Sequence, residues 1–156
     1  MMLVSVLIAA VFTPESGERA MVRLINEHRA SKGLSQLRRV QVLDQAAGWF
    51  ADDLASRDTG LDHIDSQGRR VTHRIYDFGY RAIRKSAENI AYGNDDPEAT
   101  HEGWLNSPGH RRNLLDPDLE DIGVGARVSA SGRVYWVTEF GRRHRGAPAL
   151  ALSPED

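Results

Sequence analysis

His63, Glu88 and His110 are the side chains whose types could do chemistry together. Imidazole nitrogen and carboxylate oxygen suit zinc or a similar divalent ion, and a His-Glu-His set leaves an open coordination position. A metal held by His63 and His110 would activate water, with Glu88 as the candidate catalytic base. The three lie on separate elements, so their spacing alone says little. The fold must bring them to one cleft.

Other motifs fail on inspection. His101-Glu102-Gly103-Trp104-Leu105 opens like the zinc-protease helix motif, but the second histidine would have to be residue 105, which is Leu105. There is no G-x-S-x-G and no G-x-x-x-x-G-K. Gly123-x-Gly125 lies inside a strand pattern without a third glycine. Ser107, near His110, precedes Pro108 and is explained by turn chemistry. The chain has no cysteine, which removes disulfides, thiol nucleophiles and thiolate metal sites together.

The stretch Ser86–Asp116 must position two of the three. Residues 88–92 read as a short strand, broken by Gly93-Asn94-Asp95. Asp96-Pro97-Glu98 opens a helix by cap, proline and acid, and the helix carries Trp104 and Leu105. Pro108 restricts Ser107 and ends it; His110 follows that turn, and Arg111 to Leu115 can add a helical turn. His63 sits in the polar loop Gly60–Gly68.

The remaining elements follow from periodicity. Thr13-Pro14-Glu15 starts a first helix with Met21, Leu24, Ile25 and His28 at helical spacing and Gly33 as its stop. Residues 34–42 read as extended. A second helix buries Leu43, Ala46, Ala47, Phe50 and Leu54, keeps Asp52-Asp53 on its solvated side and ends at Gly60. A third turns Val71, Ile75 and Phe78 inward, with His73 outward. Period two then takes over: Ile122, Val124, Ala126 and Val128, a Ser131-Gly132 turn, and Val134, Trp136, Thr138 and Phe140, forming a hairpin with one face suited to a core. Helices first and strands late predict an α+β domain with helices covering an antiparallel sheet.

Bulk properties bound the function. A chain of 156 residues, 40% hydrophobic and 27% charged, makes one ordinary globular domain. A net charge of −2 predicts neither a nucleic-acid binder nor a polybasic membrane binder. Residues 1–12, MMLVSVLIAAVF, are too short to span a bilayer and suit the apolar core of a signal peptide. Residues 13–141 are the expected domain, and residues 142–156, with the basic run Arg142-Arg143-His144-Arg145, the expected mobile tail.

Three segments resemble the bacterial branch of the CAP superfamily, the SCP-like extracellular domain. They are Leu24–Arg29 with Gly33-Leu34; His63, Gly68, Arg74 and Gly79-Tyr80-Arg81; and Glu88–Gly93 followed by Gly103–Arg111 and Asn113–Leu115. Ile122–Gly125 and Tyr135-Trp136 to Phe140-Gly141 complete the pattern. The resemblance implies a three-layer α-β-α sandwich with a central antiparallel sheet, and export to an extracellular or periplasmic place. It also implies a cleft of two histidines and two acids that holds a divalent ion in some relatives. His63, Glu88 and His110 match three of those positions. Ser107 stands where many eukaryotic members carry a glutamate, so a cation is held less tightly and a hydrolase reading weakens.

The expectation is a secreted, monomeric module without a membrane-spanning helix. Its cleft takes an extracellular or envelope ligand (small molecule, lipid or peptide) and binds a divalent cation such as zinc weakly. The alternatives are a metal-dependent hydrolase using His63, Glu88 and His110, and an envelope interaction domain with a vestigial cleft.

Overall fold

The computed structural model describes residues 13–93 and 95–154. In chain order these form α1 (Pro14–Ser31), β1 (Arg38–Arg39), α2 (Gln41–Arg57), α3 (Val71–Asp77), β2 (Ile83–Gly93), α4 (Pro97–Asn106), α5 (Pro108–Leu114), β3 (Asp121–Val128) and β4 (Val134–Arg143). The residues expected to form a leader, 1–12, lie outside the described part. Among the described residues no helix is long and apolar enough to cross a membrane.

The helix starts follow local chemistry. Thr13 and Ser16 form a reciprocal capping box on α1, and the Asp96 carboxylate accepts from the Glu98 and Ala99 N–H groups at the start of α4. α2 ends at Asp58, in the left-handed region at φ 47°, two residues before the expected glycine.

The sheet runs β1-β3-β4-β2. β2, β3 and β4 pair antiparallel, as expected, while the two-residue β1 pairs parallel to β3 and makes the sheet mixed. One face of the sheet offers Ile122, Val124, Ala126, Trp136 and Phe140 to Met21 and Ile25 of α1, Trp104 of α4 and Leu114 of α5. The other offers Tyr135, Val137 and Ile90 to Ala47, Phe50 and Leu54 of α2. Helices on both faces give β4 two buried faces, where the alternation predicted one.

Gly123 and Gly125 lie against α2. A Cβ on Gly123 would sit 2.1 Å from the Leu43 carbonyl carbon, and one on Gly125 2.4 Å from the Ala47 oxygen. The G-x-G pair is therefore a close helix–strand packing device, and no nucleotide chemistry is needed to explain it.

Arg29, in the last turn of α1, is 1% exposed. Its guanidinium donates to the Ser35, Leu114 and Asp116 carbonyls, tying α1 to the end of α5. The C-terminal segment also differs from the expected mobile tail. β4 continues to Arg143, the Gln41 N–H donates to the Ala151 carbonyl and the Ser153 N–H to the Arg39 carbonyl. The Ser153 hydroxyl bonds the Asp44 carboxylate as well. The segment is held because it covers backbone groups of β1 and the start of α2 that would otherwise lack partners.

Candidate functional site

β2 is the outer strand of the sheet beside β4, and the site is built along it. Its exposed carbonyls are covered by side chains from the α4–α5 side: Asn113 donates to the Glu88 oxygen at 3.2 Å and the Trp104 indole to the Ile90 oxygen at 3.4 Å. Asn113 also donates to Asn89 Oδ1 at 2.9 Å, and Asn89 Nδ2 donates to the His110 carbonyl at 3.2 Å. Covering a strand edge in this way blocks further strand pairing there. It also fixes the backbone that carries His110, whose ring lies 6.3 Å from the Trp104 ring.

The loop carrying His63 is held from below. Asp53, expected on a solvated face, accepts from Arg57 at 2.7 Å and from the Ser66 N–H at 3.2 Å. Asp65 closes the loop by accepting from the Gln67 and Arg69 N–H groups at 3.0 and 2.9 Å.

Glu88 receives both walls. His63 Nδ1 lies 2.6 Å from Glu88 Oε1, and Arg74 Nη1 lies 2.5 Å from Glu88 Oε2. A carboxylate only accepts, so Nδ1 of His63 carries the proton and the neutral ring presents its lone pair at Nε2. The bond to Glu88 raises the His63 pKa above its ordinary value, against a smaller opposing effect of burial. His110 moves the other way: burial lowers its pKa, and charge on His63 lowers it further. Environments that pull two imidazoles apart suit them to different protonation states at one pH.

Behind Glu88 stands a buried cluster that the sequence reading missed. Arg74 is fully buried, with its guanidinium 3.4 Å from the centre of the Phe50 ring. Besides Glu88 it donates to Glu139 at 2.8 Å and to Asp65 at 3.1 Å. Glu88 and Glu139 are direct partners across β2 and β4. Like charges so placed repel, and Arg74 Nη1 lies between them. Burial pushes the Glu139 pKa well above the usual carboxylate range, and the Glu88 charge adds to it. Glu139 Oε2 has no hydrogen-bond partner among the described residues. The available signal was Glu139 itself, an acid within the run Val134–Phe140 of otherwise uncharged residues.

Beside His110 opens a hollow of about 410 Å³, lined chiefly by Leu61, Ile90, Tyr92, Trp104, Ser107 and carbon-rich neighbours. Leu61 and Tyr92 remain 43% and 46% exposed, so the apolar surface reaches the mouth. His63, two residues after Leu61, has a side chain 51% exposed. His63 contacts Glu88 directly, and charge on His63 adds to the lowering of the His110 pKa. As ligands they are not equivalent. Both Glu88 oxygens are engaged, and among the described residues no three His, Cys, Asp or Glu side chains form a metal-holding group. Glu88 stands behind His63 as an orienting carboxylate.

These shifts predict a titration result. His63 should titrate above 6.5 and His110 below it when followed by NMR, and Glu88→Gln should return His63 towards 6.5. Because its folded pKa is raised, the His63–Glu88 contact is at full strength below pH 6.5 and fades as pH rises through the raised value.

Helices on both faces of the sheet make an α-β-α sandwich of the SCP type. The chain belongs to the cysteine-rich secretory protein family, CAP, whose model matches residues 22–140; this member has no cysteine. It is 32% identical over 123 residues, 79% of this chain, to the uncharacterized protein YkwD of Bacillus subtilis. It is 30% identical over 128 residues, 82% of this chain, to the uncharacterized membrane protein YlbC of the same organism. It spans less than half the length of these relatives, 46% and 35% respectively. Among solved structures, an outer surface protein of Borrelia burgdorferi superposes with a TM-score of 0.76 at 23% identity, covering 83% of this chain and 95% of that one. An SCP-domain extracellular protein from Bacillus anthracis gives 0.74 at 23%, covering 86% and 45%.

Proposed function

We propose that this domain is an exported binding module whose cleft takes a ligand with an apolar body and a polar end. The observation that carries this reading is the hollow itself. Its walls are mostly carbon, and His110 lines it. Pockets of this kind bind through apolar area and orient through a few polar groups. Export is supported by the named locations of the structural neighbours, one an outer surface protein and one extracellular.

Divalent-cation binding, in this reading, is weak and rests on His63 Nε2 and His110, with Glu88 orienting His63 from behind. When bound, a cation would supply a positive centre for an anionic ligand group. The hydrolase reading with Glu88 as base gains nothing from the geometry, because Arg74 and His63 already engage both oxygens.

Zinc titration by calorimetry tests the cation. The wild type should release heat at neutral pH, less as pH falls through the raised titration of His63, and His63→Ala should remove the cleft's share of it. An identical titration of the two proteins would exclude His63 as a ligand. For the ligand itself, Trp104 fluorescence should respond to short-chain fatty acids or apolar peptides, and Gly103→Leu, which puts a branched side chain into the hollow, should abolish that response.

A further inference from the structure

A second histidine pair stands between α1 and α4, outside the cleft. His28 comes from the last turn of α1 and His101 from the middle of α4. Their ring centroids are 5.8 Å apart and the planes meet at 71°. His101 is only 7% exposed, and its Nε2 is sealed from solvent with no hydrogen-bond partner among the described residues. A buried polar atom left in that state is destabilising. Edge-to-face packing accounts for the contact between the rings but not for the unused nitrogen.

The protonation state suits a ligand. Burial, and then the facing His28, lower the His101 pKa, so the ring is neutral at pH 7 with one lone pair to give. His28 is only partly buried, which leaves a way in from solvent. Two metal–nitrogen bonds of about 2.0–2.1 Å, one to each ring, place ring centroids about 5–6 Å apart. The observed spacing lies in that range. The flanking charges are balanced: Arg23 of α1 pairs with Glu27 at 3.2 Å and reaches Glu98 of α4 at 3.7 Å. No third His, Cys, Asp or Glu joins the pair among the described residues, so water entering from the partly exposed His28 side would complete the shell.

We propose that His28 and His101 form a two-imidazole site for a late first-row divalent ion, which would link α1 to α4. Copper(II) should bind most tightly, ahead of nickel(II) and zinc(II), by the general order of such ions on nitrogen ligands.

The site is independent of the cleft, so its test starts from a His63→Ala/His110→Ala protein. Copper(II) alone is the probe, read by calorimetry and by electron paramagnetic resonance. That protein should bind one equivalent with nitrogen couplings from two imidazoles, and adding His28→Gln should weaken binding at least tenfold. The thermal midpoint without metal should change little, since His28 is on the partly exposed side of the pair. If His28→Gln does not fold, His101→Gln is the substitute, with the same expected loss. His73 and His144 are present in every arm and cancel. No copper binding by the starting protein, or undiminished two-imidazole binding after loss of either histidine, would overturn the proposal. Failure of the cleft reading appears separately, as an unchanged zinc titration on His63→Ala with His28 intact.

Discussion

Arg74→Met is expected to lower the stability of the domain by about 3–5 kcal/mol, the usual cost of removing one partner of a buried ionic group. Arg74 has no exposed surface and is shared by three carboxyl groups, on Asp65, Glu88 and Glu139. Without it Glu88 keeps only His63, while Glu139 loses the guanidinium that holds it in its fully buried site. Domains of this kind have about 5–15 kcal/mol in all, so urea unfolding should move to a much lower midpoint. A loss under about 1 kcal/mol would show that the cluster is not ionised as described. Glu139→Gln separates charge from shape. Burial holds the Glu139 pKa well above its ordinary value, so the folded state keeps a proton that the unfolded chain loses. The stability it lends is complete below the unfolded value, about 4.3, and is lost as pH rises through the raised one. The Gln variant cannot ionise there, so its unfolding midpoint should stay level where that of the wild type declines.

Gly123→Ala should be nearly as damaging, by about 3 kcal/mol, the upper part of the range for overpacking. The added methyl would meet backbone atoms: the Leu43 carbonyl carbon at 2.1 Å and the Asp44 nitrogen at 2.3 Å. Backbone within a helix cannot rotate away as a side chain can, so α2 must shift as a unit. That shift would also strain the Asp44 carboxylate, which accepts from the Val124 N–H at 2.9 Å and from Ser153. Gly103→Ala in α4 is the contrast. Nothing lies within 4 Å of its added carbon, and alanine favours a helix interior by up to ~1 kcal/mol over glycine. Thermal unfolding of the two variants should therefore move in opposite directions. Equal shifts would show that α2 does not rest on Gly123.

The elements were legible because their causes are local. The Asp96-Pro97 start of α4, the Thr13 cap of α1 and the strand period of Ile122–Val128 act over one to four residues and are present in the structure. The site was legible only in part. His63, Glu88 and His110 were singled out by type and by resemblance, and the His63–Glu88 contact is present at 2.6 Å. The role of Glu88 could not be read, because it depends on Arg74. A guanidinium on a short helix has no sequence mark that distinguishes burial from solvation.

From the order of residues come the starts of the helices and strands, their capacity to share one core, and the list of side chains capable of chemistry. Which of those side chains meet is a property of the folded chain. Arg74 and Glu139 are 65 residues apart along the chain and 2.8 Å apart in space. That contact follows from the packing of α3 on β2, the neighbour of β4 in the sheet, and it exists because a charge removed from water must find its partner inside the protein.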